Sequence, residues 1–136
     1  MDERNTGGRT VLVAEDDDDT RRLIRKLCEG EGARVVEARD GREAVAAFGR
    51  EIPSLVVMDL SMPKMDGIDA AREIRSHEAF RGVPILFVTA HGDMGMDLFA
   101  RAADMPGVPV EYLPKPFDNV RLIETIRGLL ARAAEG

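Results

Sequence analysis

The chain has 136 residues, 44% of them hydrophobic, and its 19 basic and 25 acidic side chains give a net charge of −6. That length suits one domain able to bury roughly two-thirds of its unfolded surface, so folding requires neither disulfides nor a structural metal, and the composition excludes a disordered chain. No apolar run approaches the ~20 residues of a membrane span, the single cysteine excludes an internal disulfide or a cysteine-built zinc site, and Met1–Arg9 is polar and Gly-rich where a signal peptide would be apolar.

A cytoplasmic protein is therefore expected. Five of the acids are consecutive, Glu15–Asp19, and without them 19 basic side chains face 20 acidic ones, so the acidity is concentrated at one place. Nothing resembles the basic stripe of a nucleic-acid binder, and no direct contact with nucleic acid or membrane is expected. The densest basic cluster, Arg21, Arg22, Arg25 and Lys26, follows the acids on one predicted helix and reads as a solvated face balanced by them.

Residues 1–9 read as a loose tail and residues 10–134 as the domain. The first strand is predicted over Thr10–Glu15. A helix over Asp19–Glu29 follows, ending near Gly30 and Gly32, with Cys28 a small packing residue beside Leu23, Ile24 and Leu27. Arg34–Ala38 is a more polar strand, suited to a sheet edge. Gly41–Arg50 has helical period, with Ala44, Val45 and Phe48 on one face, and Asp40 with Glu43 forms a capping box before it. Leu55–Asp59 is a continuous apolar strand, followed by a helix over Gly67–Ser76 that buries Ile68, Ala71 and Ile74. Ile85–Thr89 is the fourth strand. Met94–Ala103 has some helical character, but Gly92, Gly95, Pro106, Gly107 and Pro109 punctuate that stretch. Val110–Leu113 is the last strand, and Asn119–Ala133 the last helix, capped by Asp118, with Val120, Ile123, Ile126 and Leu130 at helical spacing. Short, nearly continuous Val/Leu/Ile strands alternating with helices imply an α/β fold: a five-stranded, doubly wound parallel sheet with helices on both faces.

Function in such a sheet collects at the carboxyl ends of the strands, near the point where the winding reverses. The first strand ends in Glu15-Asp16-Asp17, the third in Asp59, the fourth in Thr89, and the fifth is followed by Lys115-Pro116. These share one edge. Crowded carboxylates raise one another's pKa, and a hard divalent cation relieves the repulsion; magnesium suits one or two carboxylates with waters and a phosphate oxygen. Asp59, alone at a strand end on the loop Asp59-Leu60-Ser61-Met62-Pro63, can act as a nucleophile toward phosphorus. An ammonium and a hydroxyl around it are what charge stabilisation of a transferred phosphoryl group requires.

The chain resembles the receiver domain of two-component response regulators. The resemblance rests on VLVAEDD (11–17), LVVMDLSMPKMDG (55–67), ILFVTA (85–90) and YLPKPF (112–117), in family order across residues 10 to 133. It implies the flavodoxin-like strand order 2-1-3-4-5. It implies Asp59 as phosphoacceptor and Asp16 as direct ligand of Mg2+, with Mn2+ as the alternative ion. Glu15 then acts through water, and the Ser61 backbone carbonyl completes the protein ligands. Lys115, before a cis Pro116, pairs with the phosphoryl group; Thr89 hydrogen-bonds it; Tyr112 is the switch aromatic that turns inward on activation. The implied partners are a sensor histidine kinase or a histidine phosphotransfer protein as donor, a downstream protein target, and a second copy in a homodimer. The domain would catalyse only its own phosphorylation and dephosphorylation. His91 lies at a family position that tunes phosphoryl lifetime and reads as a bystander, and His77 as a surface residue. The stretch from Thr89 to Lys115 runs a few residues longer than the family pattern, and Glu15 replaces its more common Asp. No output domain follows the last helix, so the expectation is a shuttle, a docking module or, equally, a piece excised from a larger chain.

Two other functions fit parts of the sequence. Asp16-x-Asp18-x-Thr20 matches the DxDxT signature of haloacid-dehalogenase-like phosphatases, with Asp16 as nucleophile and Asp18 as general acid, but leaves Asp59 and its loop unexplained. A pseudo-receiver, an unphosphorylated interaction module, would be expected to lack one of the acidic, Asp, Thr or Lys positions, all of which are present.

Overall fold

The computed structural model describes residues 9–60, 62, 65–76, 82–89 and 110–135. In chain order these form β1 (Thr10–Ala14), α1 (Asp18–Gly30), β2 (Arg34–Ala38), α2 (Gly41–Arg50), β3 (Leu55–Met58), α3 (Gly67–Arg75), β4 (Ile85–Thr89), β5 (Val110–Pro114) and α4 (Asn119–Glu135). All strand pairs are parallel and the order is β2-β1-β3-β4-β5. The chain winds outward from β1 to β2 and then returns to pair β3 on the other side of β1. The winding therefore reverses between β1 and β3, and their carboxyl ends flank the crevice where doubly wound sheets bind ligands.

Strand alternation divides the core into two layers. Leu12 and Ala14, Val56 and Met58, and Ile85 and Phe87 face α2 and α3, where Phe48, Ile68 and Ile74 fill the space. Val11 and Val13, Leu55 and Val57, and Leu86 and Val88 face α1 and α4, against Ile24, Cys28, Leu122 and Ile126. Side chains on both faces of the central strands are thus buried, which is why those strands read as unbroken apolar runs rather than alternating ones. Cys28 is fully buried, and that burial pushes its thiol up to about 12, as befits an inert packing residue.

Local chemistry sets the element ends. Asp17 caps α1 by accepting from the Thr20 backbone N–H at 2.8 Å, Asp66 caps α3 through Asp69 N, and Asp118 accepts from Val120 N at 2.7 Å. After α1 the chain reverses through Gly32, whose φ of 87° lies in the left-handed region that favours glycine. Asp40 accepts from Glu43 N as a capping box requires, and Glu43 Oε1 accepts from Arg39 N, the residue before the cap.

Three expectations change. The buried stripe of α4 is Leu122, Ile126, Leu129 and Leu130 rather than one running through Val120, which is 62% exposed; an i, i+3, i+4 pattern admits two registers, and packing against β3 selects one. Arg21 is 7% exposed and not part of a solvated basic face, unlike Arg22, Arg25 and Lys26. Arg9, read as tail, donates from Nη1 to the Leu130 carbonyl at 2.9 Å, and its own carbonyl accepts from Arg34 N. The expectations for residues 1–8, for a helix over Met94–Ala103, and for His77 and His91 lie outside the described residues.

Candidate phosphoacceptor site

The sheet register brings the acids together. Ala14 pairs with Met58 across β1 and β3, so the next residues, Glu15 and Asp59, leave the sheet side by side at the reversal point. Asp59 N donates to the Ala14 carbonyl and Glu15 N to the Ala38 carbonyl, both at 3.0 Å. On the other side Thr89 pairs with Pro114, and Lys115 N donates to the Thr89 carbonyl at 2.9 Å. Lys115 thereby enters from β5, while Phe117 packs into the α1/α4 layer and anchors its loop. The Lys115–Pro116 peptide is cis.

Glu15, Asp16 and Asp59 offer carboxylate oxygens that all lie within 4.8 Å of one another. Lys115 Nζ donates to Glu15 Oε1 at 2.5 Å and to Asp59 Oδ2 at 3.1 Å. Glu15 and Asp59 are buried and Asp16 is exposed, so the cluster has a dry floor and an open rim. Burial pushes the Glu15 carboxyl up to about 7, against the pull of the Lys115 hydrogen bond and the Asp17 N–H, with the neighbouring Asp59 adding to the rise. Burial works against the Lys115 charge too, but the Glu15 hydrogen bond and the fields of Asp59 and Glu15 outweigh it and hold its pKa above the ordinary lysine range. Three carboxylates against one ammonium leave the cluster net negative, and oxygen-only donors with an open side fit a hard divalent cation.

Two further features fit a tetrahedral oxyanion beside Asp59. The Thr89 hydroxyl is buried and has no hydrogen-bond partner among the described residues, a state that calls for an explanation in a folded protein. Below the site, a Cβ on Gly67 would lie 2.3 Å from the Asp59 carbonyl oxygen, while Gly67 N donates to the Leu60 carbonyl at 2.9 Å. Only glycine lets α3 start so close beneath the Asp59 loop. Tyr112 is half-buried, opposite Phe87 in the ladder and packed against the α2/α3 layer. Ser61 lies outside the described residues.

Sequence reading missed Arg21. The signal was present: positions 21, 24 and 28 share a helix face with spacing i, i+3, i+7, and Asp18 stands three residues before it. Composition alone concealed it, since four basic residues in a row of six look solvated.

A doubly wound parallel sheet with carboxylates, a lysine and a buried threonine hydroxyl at its reversal point defines a phosphoacceptor signalling domain. The family described as the response regulator receiver domain matches residues 11–127. The chain is 41% identical over 128 residues to the transcriptional regulatory protein PdtaR of Mycobacterium tuberculosis, covering 93% of this chain and 59% of PdtaR. It is 36% identical over 117 residues to a 14.6 kDa protein of Leptolyngbya boryana, covering 86% of each. Among solved structures, the receiver domain of the Pseudomonas aeruginosa sensor histidine kinase PA1611, which has a magnesium ion coordinated in its active site cleft, superposes with a TM-score of 0.80 at 31% identity, covering 91% of this chain and 98% of that one. The chain belongs to the response regulator receiver domain family, and its role is that of a two-component phosphoacceptor. It spans about half the length of most of the curated regulators it matches.

Proposed function

We propose that Asp59 is the phosphoacceptor and that the acidic cluster holds Mg2+, or alternatively Mn2+. Asp16 and Asp59 serve as direct ligands, Glu15 acts through water, and the Ser61 backbone carbonyl completes the set. The observation that carries this reading is the convergence of three carboxylates within 4.8 Å with Lys115 bridging two of them. When bound, the cation supplies positive charge that offsets carboxylate repulsion and the charge of the phosphoryl oxygens. An Asp59 oxygen attacks the phosphorus of a phosphohistidine on a sensor kinase or phosphotransfer protein. The P–N bond breaks, and its electron pair leaves with the imidazole. Lys115 then exchanges an Asp59 oxygen for a phosphoryl oxygen, and the buried Thr89 hydroxyl donates to another. Those new contacts exist only in the phosphorylated state and bias a two-state equilibrium that Tyr112 reports to a protein target or a second copy of the chain.

The domain covers residues 10–134, with Arg9 joined to it through its hydrogen bonds with Leu130 and Arg34. It works in the cytoplasm without direct contact to nucleic acid or membrane, and turns over nothing but its own phosphoryl group. A phosphatase acting through Asp16 is disfavoured by Asp18. Its hydrogen bond from Arg21 at 2.6 Å, with the Arg21 charge, holds it below the usual carboxylate range, the reverse of what a general acid requires. Intact-mass measurement after acetyl phosphate and Mg2+ tests the reading: the chain gains one phosphate and Asp59→Asn gains none. Label persisting in that variant overturns it.

A further inference from the structure

The Arg21 guanidinium is committed on three sides. Nη1 donates to the Glu15 backbone carbonyl at 2.9 Å, Nη2 to Asp18 Oδ1 at 2.6 Å and Nε to Glu37 Oε1 at 2.9 Å. Arg21 is 7% exposed and shares the buried face of α1 with Ile24 and Cys28. Burying a guanidinium is costly unless every arm is satisfied, and here the arms reach three separate pieces of backbone: the loop after β1, the first turn of α1 and the edge strand β2. Arg25 Nη1 holds the other oxygen of Glu37 at 2.6 Å, so the β2 end of this clamp is itself fixed.

We propose that Arg21 is a positioning residue for the metal site: its Nη1 pins the carbonyl of the peptide that joins Glu15 to Asp16 and so fixes the angle at which both carboxylates meet Asp59. The inference rests on the metal-site reading above. Between the last residue of β1, Ala14, and the first of α1, Asp18, only three residues intervene. Within them Glu15 N is held by Ala38 and Asp17 N by the Glu15 side chain at 3.1 Å. The Glu15 carbonyl is the remaining pivot, and rotation of that peptide would swing Asp16 away from Asp59. The effect is one of geometry more than of field, since Asp18 and Glu37 already neutralise the guanidinium. Lysine cannot substitute: its ammonium is a single compact donor and lacks the planar fork that reaches three acceptors at once.

The test is isothermal titration of the full chain with Mg2+ alone, with circular dichroism reporting the fold. Arg21→Lys is expected to weaken Mg2+ binding by about tenfold, the size typical of residues that orient metal ligands, while Arg22→Ala, which removes an exposed charge from the same helix without touching Glu15 or Glu37, leaves it unchanged. A role in stability alone would lower the melting midpoint of Arg21→Lys and leave its Mg2+ affinity intact. A loss smaller than about threefold in folded Arg21→Lys, or an equal loss in Arg22→Ala, overturns the inference and leaves the metal site standing. Absence of Mg2+ binding by the unaltered chain overturns the metal-site reading itself, and this inference with it. Should Arg21→Lys not fold, Glu37→Gln, which loosens the clamp from β2, is read against the same threefold line.

Discussion

The two edges of the sheet carry the same chemistry with opposite outcomes. At the amino edge, Glu51 accepts from Arg34 and from the Thr10 hydroxyl. At the carboxyl edge, Glu15 accepts from Lys115, with Thr89 on the neighbouring strand. Glu51 is exposed, and its hydrogen bonds from Arg34 and Thr10 pull its pKa below the ordinary range. Glu15 is buried, and desolvation pushes it up to about 7 despite its lysine. Thr10 is satisfied, whereas Thr89 has no partner among the described residues. One edge balances its charges, whereas the other keeps a net negative cluster with a buried hydroxyl at its side, and that imbalance is what suits it to a cation and a phosphoryl group.

Substitutions can break or sharpen this contrast. The largest expected effect is Gly67→Ala at the carboxyl edge. Its Cβ meets backbone at 2.3 Å, so denaturant unfolding should show a loss of about 3 kcal/mol; Gly49→Ala, with open space around it near the end of α2, should cost nothing. Next is Lys115→Met, which leaves Glu15 and Asp59 buried without their cation and should lower unfolding free energy by about 2 kcal/mol at neutral pH in the absence of divalent ions. Added Mg2+ should recover part of that loss.

The pH response separates the edges by sign. Without divalent ions, native Glu15 holds a proton up to about 7 while the unfolded chain releases it near 4.5. Folding therefore takes up a proton between those values, and stability falls as pH rises through that window. Glu51 does the reverse: its stabilising contribution is present above the unfolded carboxylate pKa and is lost as pH drops through its lowered folded value. Urea midpoints across pH should flatten in the upper window for Glu15→Gln and only in the acid range for Glu51→Gln. By the same linkage, Mg2+ affinity should fall by up to about tenfold per pH unit below the Glu15 titration.

The smallest effect is the most discriminating. Thr10→Val removes a made hydrogen bond and should destabilise by about 1 kcal/mol. Thr89→Val removes an unmade one and should leave stability unchanged or slightly raised, while shortening the lifetime of the phosphorylated state. Equal destabilisation by both would mean that the Thr89 hydroxyl is already satisfied in the resting protein.

The starts of α2 and α4 were legible locally, because Asp40 and Asp118 each cap a helix through their own backbone neighbourhood, whereas the Asp17 and Asp66 caps emerged only in the structure. Asp59 and Lys115 were legible as strand-end residues of a recognisable pattern. Arg21 was not, and neither was the register of α4, because both depend on which face of a helix meets the sheet. The alternation of apolar strands and capped helices, with acids and a lysine at strand ends, is written in short-range spacing, and it determined the architecture and the class of chemistry. Only the folded sheet decided that Glu15 and Asp59 stand adjacent through the Ala14–Met58 register, that the Lys115 ammonium spans both, and that the Thr89 hydroxyl is buried at the same edge. Those outcomes depend on desolvation and on contacts between residues as much as a hundred positions apart, where no local pattern reaches.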